Sequence, residues 1–482
     1  MGENRIPSRA SWALIISLLL VVAFRLPYIS RPFNSQDVAQ IAYSASRAVE
    51  GQLLYRDTAD SKPPLTLMLF ALTFRWFGND MTAVNGVAMV WALASTMLIF
   101  LLTHALFGRT AAGGAALFHA VFANSNTVNG TSPNYDFWML PFMIAAVYCF
   151  VQGSMGSGFR VQGSGDGATR NTQYAIRWLF AAGVCSGLGT LSKQHALFNF
   201  VALLNYVVFR ACWDSAQRKR LLKELLLLGV GFVVAWLPFV LYFWSQGGLP
   251  AFIDSLSPRH NVSYMGTRTG ADAWSAAQVQ FVRQITRDTI LWIFALVGLV
   301  SLLVIKKRSM GQWGNGSMGQ HAARNTQYAL LLWLWAFWSL VGVCITKRFY
   351  DHYFQQIIPV WSVLAGYIWG LCFDAKAAPR QAPRWTIVTV IACGFLWSGR
   401  QSFRAREMLQ RTHALLSRQH EPTELEKVGD YIRTHSMPQD TLYVWGWKPE
   451  IYYFADRKAP TKWWEWGIES GMWSQIAPEF ER

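Results

Sequence analysis

Apolar runs separated by short polar joints make up most of the chain. The runs lie near 11–29, 83–107, 111–128, 137–152, 176–191, 196–210, 224–244, 289–305, 329–346, 354–372 and 384–399. Each approaches the length of about 20 helical residues needed to cross a hydrocarbon core. The pattern predicts a polytopic α-helical membrane protein of about 11 spans. Polar residues gather at 30–82, 129–136, 245–288 and 347–353, and again from 400 to the end. One further apolar run, 64–77, begins at Lys62-Pro63-Pro64, where proline suits the first turn of a helix.

Charge sets the expected orientation. Arg218, Lys219, Arg220 and Lys223 form one basic cluster. Lys306, Lys307 and Arg308 form a second, and Lys376, Arg380 and Arg384 a third. Eleven spans place all three on the side of Arg5 and Arg9, as the positive-inside rule requires. Counting 64–77 as a twelfth span breaks that agreement, so this run is predicted to lie along or dip into the outer face. The run WALIISLLLVVAF exceeds a signal-peptide core and no A-x-A site follows, so it reads as a retained first span. The four polar stretches and the tail then face outward. Residues 1–399 form the membrane domain and 400–482 a small soluble α/β module. In that module Leu425, Val428, Tyr431 and Ile432 keep helical spacing, DTLYVWGW reads as a strand and PEIYYFADR as a helix or turn. Two inner segments, 152–175 and 310–329, contain GSMG, end in RNTQYA, and read as flexible Gly/Ser-rich loops.

Composition agrees with lipid as solvent: 52% of residues are hydrophobic and 15% charged, against about 25% charged in soluble proteins. The net charge of +16 raises nucleic acid as a partner. The basic residues sit in joints between apolar runs, which argues for a bilayer instead and for no nucleic acid. The 24 Trp suit interfacial belts. The six Cys lie mostly in or beside spans and show no CxxC, so they read as small core residues.

Ionisable residues beside a membrane usually mark a pathway or a site. The richest stretch is 35–65, inside the outer loop 30–82. Asp37 opens a helix that Gly51 ends, and Asp57 and Asp60 precede Lys62. Asp136 stands where SNTVNGTSPNYDFWML enters a span. Either acid reads as a helix cap or as a reacting group. Cations on the same side are Lys62, Lys193, Arg259, His260, Lys347, Arg348 and His352. Lys193 interrupts an apolar hairpin and reads equally as a snorkelling side chain. The chain has no GxxxxGK[ST], no HExxH and no nucleophile elbow. NGT at 129–131 and NVS at 261–263 match glycosylation sequons only weakly.

Gln36-Asp37, GQLLYRDTADSKPPL (51–65), NYDFWMLPF (134–142), GTLSKQHALF (189–198), YDHYFQQIIPVWSVLAGY (350–367) and DTLYVWGWKPEIYYFADRKAPT (440–461) follow one another in order. The set resembles the C-type (GT-C) glycosyltransferases, family 39 and its bacterial relatives. These include protein mannosyltransferases, the lipid A aminoarabinose transferase and galacturonosyltransferases of lipopolysaccharide core. The resemblance implies transfer of a sugar, with inversion, from a polyprenyl-phosphate donor to a lipid, glycan or protein acceptor at the outer face of a bacterial inner membrane. It implies Asp37 as the base, Asp136 as the second acid, and Lys62, Lys193 and Arg348 near the carrier phosphate. Asp60, Arg259, His260, His352 and Tyr353 become candidate substrate contacts. Many members carry two adjacent acids where this chain has Gln36-Asp37. No cofactor is expected, the single acid argues against a metal site, and a divalent ion stays open. The tail is short beside relatives that continue with further strands. A transporter or flippase of lipid-linked sugars is the competing class; it would share the spans but need no base at Asp37. Internal repeats of spans, frequent in transporters, are not seen beyond RNTQYA.

Overall fold

The computed structural model describes residues 9–155, 166–213, 215–257, 270–310, 317–373, 384–403, 405–417 and 422–462. The first helices are α1 (Arg9–Arg25), α2 (Gln36–Val49), α3 (Leu65–Phe77), α4 (Met81–Phe107), α5 (Arg109–Phe122) and α6 (Tyr135–Phe150). Next come α7 (Asp166–Ser192), α8 (Leu197–Trp213), α9 (Ser215–Ser245), α10 (Leu249–Ser255), α11 (Gly270–Arg287) and α12 (Thr289–Met310). The last are α13 (Ser317–Cys344), α14 (Ile358–Phe373), α15 (Arg384–Ser402), α16 (Ala405–Ser417), α17 (Glu424–His435) and α18 (Pro449–Ala455). Among the described residues β pairing is confined to the isolated bridges Leu54–Thr58 and Thr441–Lys458.

All eleven expected spans fall on helices, but not all of those helices qualify as crossings. Among the described residues eight helices are long and apolar enough to cross a membrane, and the bent pair α11–α12 would make a ninth. The run at 111–128 is cut short because Asn124, Ser125 and Asn126 end it; α5 has 14 residues, about 21 Å of helix. Helix α15 carries Arg384 and Arg400 within its 19 residues. At 13 residues α3 is about 20 Å long, too short to cross a core of about 30 Å unaided. The stretch 245–288 is not a loop throughout: it contains α10 and the amphipathic α11, which exposes Trp274, Val279 and Val282. Helices α11 and α12 meet at 97°. Asp288 stands at the bend, buried, accepting hydrogen bonds from Thr127 Oγ1 at 3.2 Å and from Ser402 Oγ.

Small residues let helices meet backbone to backbone. A Cβ on Gly183 of α7 would lie 2.2 Å from Leu228 O of α9, and one on Gly231 would lie 2.3 Å from Phe180 O. Such close approach is the membrane route to tight packing. Apolar side chains of α4, α5, α6, α8, α12, α13 and α14 fill the main core. The RNTQYA segments are not loops: they lie within α7 and α13. The copies differ in setting, with Tyr174 exposed and Tyr328 buried.

The described tail holds the helices α16, α17 and α18 joined by irregular segments. The expected strand 440–447 pairs only at Thr441. Its Val444 N–H is bonded instead by the Tyr452 hydroxyl at 2.8 Å, so no ladder continues.

Candidate active site

Two acids occupy equivalent helical positions. Helix α2 is capped by Ser35, whose Oγ accepts the Val38 N–H at 3.4 Å. Helix α6 is capped by Asn134, whose Oδ1 accepts the Phe137 N–H at 3.1 Å. Asp37 and Asp136 each follow one residue inside the first turn, where the helix dipole favours an anion. The capping reading of both acids is therefore corrected: a neighbour caps each helix, and each carboxylate is turned to other partners. The segments that lead into the two helices are joined, since Ser35 Oγ lies 3.2 Å from Ser132 Oγ and Asn34 Nδ2 donates to Thr131 O at 3.3 Å.

Arg25, which the sequence did not single out, holds the second acidic loop. Its guanidinium donates to Asn124 Oδ1 and Gly130 O, both at 2.9 Å, and lies 4.3 Å from the Phe137 ring centroid. Gly130 is required there, because a Cβ would fall 2.2 Å from Ala123 O.

The acids meet a buried lysine and an imidazole. Lys193, in the turn between α7 and α8, pairs with Asp136 Oδ2 and sits 4.4 Å over the Tyr353 ring. His352 Nε2 lies 3.7 Å from Asp37 Oδ2 and 3.7 Å from Asp136 Oδ2. Both distances suit an ion pair when the imidazole is protonated. Burial pushes the Lys193 ammonium below its ordinary pKa, and the Asp136 charge pulls part of that back. Asp136 Oδ1 is buried with no hydrogen-bond partner, an orphaned acceptor of the kind functional sites retain.

Asp60 is the joint beneath this cluster. It is 4% exposed and accepts from Tyr135 Oη, from Gln40 Nε2 at 3.4 Å and from the Lys62 backbone N–H at 2.8 Å. Tyr135 precedes Asp136 and Gln40 lies one helical turn from Asp37, so one carboxylate ties both acidic helices to the Lys62 turn. Lys62 Nζ is 3.9 Å from Asp60 Oδ1 and 5.5 Å from the Tyr135 ring. The two lysine turns are stitched together by Thr66 Oγ1 donating to Ser192 O at 3.2 Å and by Gln194 Nε2 donating to Ser61 O.

Tyr353 is 7% exposed and lies among Lys193, His352 (4.8 Å) and His195 (5.4 Å). His195 was not singled out by sequence; its signal was the SKQH run that also holds Lys193. Arg348 lies between Lys347 and Phe349, both with left-handed φ (57° and 52°), and its backbone N–H bonds Thr346 Oγ1 at 3.4 Å. Arg259 and His260 lie outside the described residues. Among the described residues no group of three or more His, Cys, Asp or Glu is arranged to hold a metal ion.

The tail grips α2 from above. Gln36 Nε2 donates to Trp447 O at 3.0 Å, the Ala459 N–H donates to Tyr43 Oη at 2.8 Å, and Arg47 pairs with Asp456. Ala59 N donates to Lys462 O at 2.9 Å, beside Asp60.

Residues 61–156 match the model of the dolichyl-phosphate-mannose-protein mannosyltransferase family. That segment includes Lys62 and Asp136. No curated protein matches the sequence. Among solved structures, ArnT from Cupriavidus metallidurans bound to undecaprenyl phosphate superposes with a TM-score of 0.60 at 15% identity, covering 98% of this chain and 89% of that one. The archaeal oligosaccharyltransferase AglB from Archaeoglobus fulgidus, in complex with an inhibitory peptide and a dolichol-phosphate, gives 0.59 at 13% identity, covering 94% of this chain. This chain spans 64% of the length of that oligosaccharyltransferase. At these identities the likeness shows the architecture: the chain has the GT-C fold.

Proposed function

We propose that this protein transfers a sugar from a polyprenyl-phosphate carrier to an acceptor hydroxyl at the outer face of a bacterial inner membrane, with inversion at the anomeric carbon. The observation that carries the reading is the linked set Lys193, Asp136, His352 and Asp37 at one end of the bundle. Four ionisable groups in contact, two of them nine-tenths buried, serve no structural need that apolar residues would not meet better.

The chemistry assigns the roles. An acceptor hydroxyl is a poor nucleophile at neutral pH, and Asp37, side chain 27% exposed, is the carboxylate placed to take its proton. The carrier phosphate gains negative charge as its bond to the sugar breaks. Lys193 and Lys62 supply fixed positive charge, with Arg348 a third candidate. The carrier is held by the bilayer at a set depth, which removes part of the entropic cost of assembly. Asp136 keeps Lys193 in place before the donor arrives. Asp60 supports the cluster from beneath. Support from the fold is independent of these residues: neighbours bound to undecaprenyl phosphate and to a dolichol-phosphate share the architecture.

The test is transfer of radiolabelled sugar from a synthetic polyprenyl-phosphate donor by protein in proteoliposomes, supplied with envelope acceptors. The expected result is turnover by wild type, none by Asp37→Asn, and a product of inverted anomeric configuration. Movement of the intact lipid-linked sugar across the vesicle wall, equal in wild type and Asp37→Asn, would establish the transport alternative instead.

A further inference from the structure

The position of His352 between two carboxylates has a use in such a transfer. Departure of the carrier phosphate turns a monoanion into a dianion, and the nearest buried cation is Lys193. That lysine is already the counter-ion of Asp136. As Lys193 turns to the phosphate, Asp136 loses its partner while still 1% exposed. A buried carboxylate left without a cation is costly. His352 Nε2 faces the same Asp136 oxygen that Lys193 holds, and faces Asp37 Oδ2 at the same 3.7 Å.

We infer that His352 receives the acceptor's proton from Asp37 and, as imidazolium, replaces Lys193 as the counter-ion of Asp136. This rests on the transferase reading above. The acceptor O–H bond breaks and its oxygen bonds to the anomeric carbon. The carbon–oxygen bond to the carrier breaks with its electron pair on the phosphate. The proton passes from the acceptor to Asp37 and on to His352 Nε2. One negative charge is added at the phosphate and one positive charge at the imidazole, so the site as a whole keeps its charge. The 3.7 Å gaps must shorten for proton transfer, and sites without substrate are commonly looser than working ones.

Every group facing the imidazole fits that task. Asp37 comes from α2 and Asp136 from α6. Lys193 and His195 come from the 193–196 turn. Asp351, on its own segment, is paired with Arg283 of α11 at 3.1 Å and so is already compensated. The rings of Tyr350 and Tyr353 hold the imidazole at 5.7 and 4.8 Å, one stacked and one edge-on. His352 is thereby fixed in orientation while its Nε2 points at both acids.

The experiment uses full-length protein in proteoliposomes with the synthetic donor. His352→Gln, which keeps volume and polarity, should lower kcat about 100-fold with the donor KM little changed. It should also change the acidic limb of the kcat profile, because an imidazole that is already protonated cannot take the proton. In His352→Ala, added imidazoles should restore turnover in proportion to their basicity. Restoration independent of basicity would mean that the imidazole only fills space, and would overturn the inference. So would a His352→Gln enzyme at full rate beside an active wild type. A wild type that transfers no sugar would instead overturn the transferase reading itself.

Discussion

Two buried ion pairs sit near opposite ends of α8, and they differ in what surrounds them. At one end Lys193 pairs with Asp136, with side chains 7% and 1% exposed. At the other Arg210 pairs with Glu224, each 7% exposed. The 17 residues of α8 put them roughly 25 Å apart. Arg210 also donates to Ser154 Oγ at 2.5 Å and lies 5.5 Å from the Tyr206 ring, so three helical segments are stapled by neutral groups and one pair of charges. Around Lys193 and Asp136 the neighbours are themselves ionisable: His352, Asp37 and, one turn away, Lys62. A buried pair is therefore weak evidence of function by itself. A pair whose neighbours can also gain or lose a proton is stronger evidence.

The largest expected difference comes from Asp37→Asn. Turnover should fall about 100- to 10,000-fold, the usual worth of a general base. Since Ser35 and not Asp37 caps α2, thermal stability should stay within about 0.5 kcal/mol of wild type. Loss of the cap itself, in Ser35→Ala, should instead cost about 1 kcal/mol, so unchanged stability in Ser35→Ala would contradict the observed capping.

Next are the pairs. Removing one partner at either end should destabilise by about 3–5 kcal/mol, since each leaves a buried charge. Replacing both, as Lys193→Met with Asp136→Leu or Arg210→Met with Glu224→Leu, should recover most of that loss in thermal unfolding. Activity then separates them: the first double variant should be folded and inactive, the second folded and active. An active Lys193→Met/Asp136→Leu protein would remove the distinction between the two ends.

That distinction was half visible in the sequence. Lys193 stood out because it breaks an apolar hairpin, and Asp136 because it heads a span. Their pairing was not visible, since it depends on how α6 and α7 pack. The helices themselves were legible because lipid forces every backbone polar group into internal hydrogen bonds. Which residue capped α2 was not, because Ser35 and Asp37 are both good caps and the apolar spacing does not choose between them. The 97° bend at Asp288 was hidden in a polar stretch whose second half is an amphipathic helix. The expected strand at 440–447 failed for want of a partner: alternating apolar residues make a strand only where a neighbour supplies a ladder, and here Tyr452 takes the Val444 N–H.

The pH response of Lys193 offers a smaller effect with a definite sign. Burial lowers its pKa below the ordinary 10.5, with Asp136 opposing. Below the folded pKa the lysine is charged and able to meet phosphate. Between the folded pKa and 10.5 the unfolded chain binds the proton and the folded one does not, so stability rises with pH there. Donor binding should fall over that same window. The difference between wild type and Lys193→Met, in unfolding midpoint and in donor KM, isolates this group. Donor binding that persists unchanged up to pH 10.5 would mean that Lys193 is not the phosphate partner.

The smallest effect belongs to a third ion pair, Arg47–Asp456, which joins α2 to the tail. Here the two partners are unequal: the Arg47 side chain is 3% exposed and that of Asp456 57%. Arg47 also pairs with Glu50 at 2.8 Å, so it keeps a carboxylate if Asp456 loses its charge. Asp456 has φ of 50°, a left-handed conformation that asparagine tolerates and alanine does not. Asp456→Asn therefore tests the charge without straining the backbone. An exposed partner in water contributes about 0–1 kcal/mol, and the amide oxygen can still accept from the guanidinium. The variant should shift unfolding by less than about 1 kcal/mol and leave turnover within about twofold. The tail would stay docked through the Tyr43–Ala459 and Gln36–Trp447 hydrogen bonds, which carry no charge. Release of the tail, seen as faster limited proteolysis beyond residue 436, would show instead that charge at Asp456 holds the tail on the helix that bears Asp37.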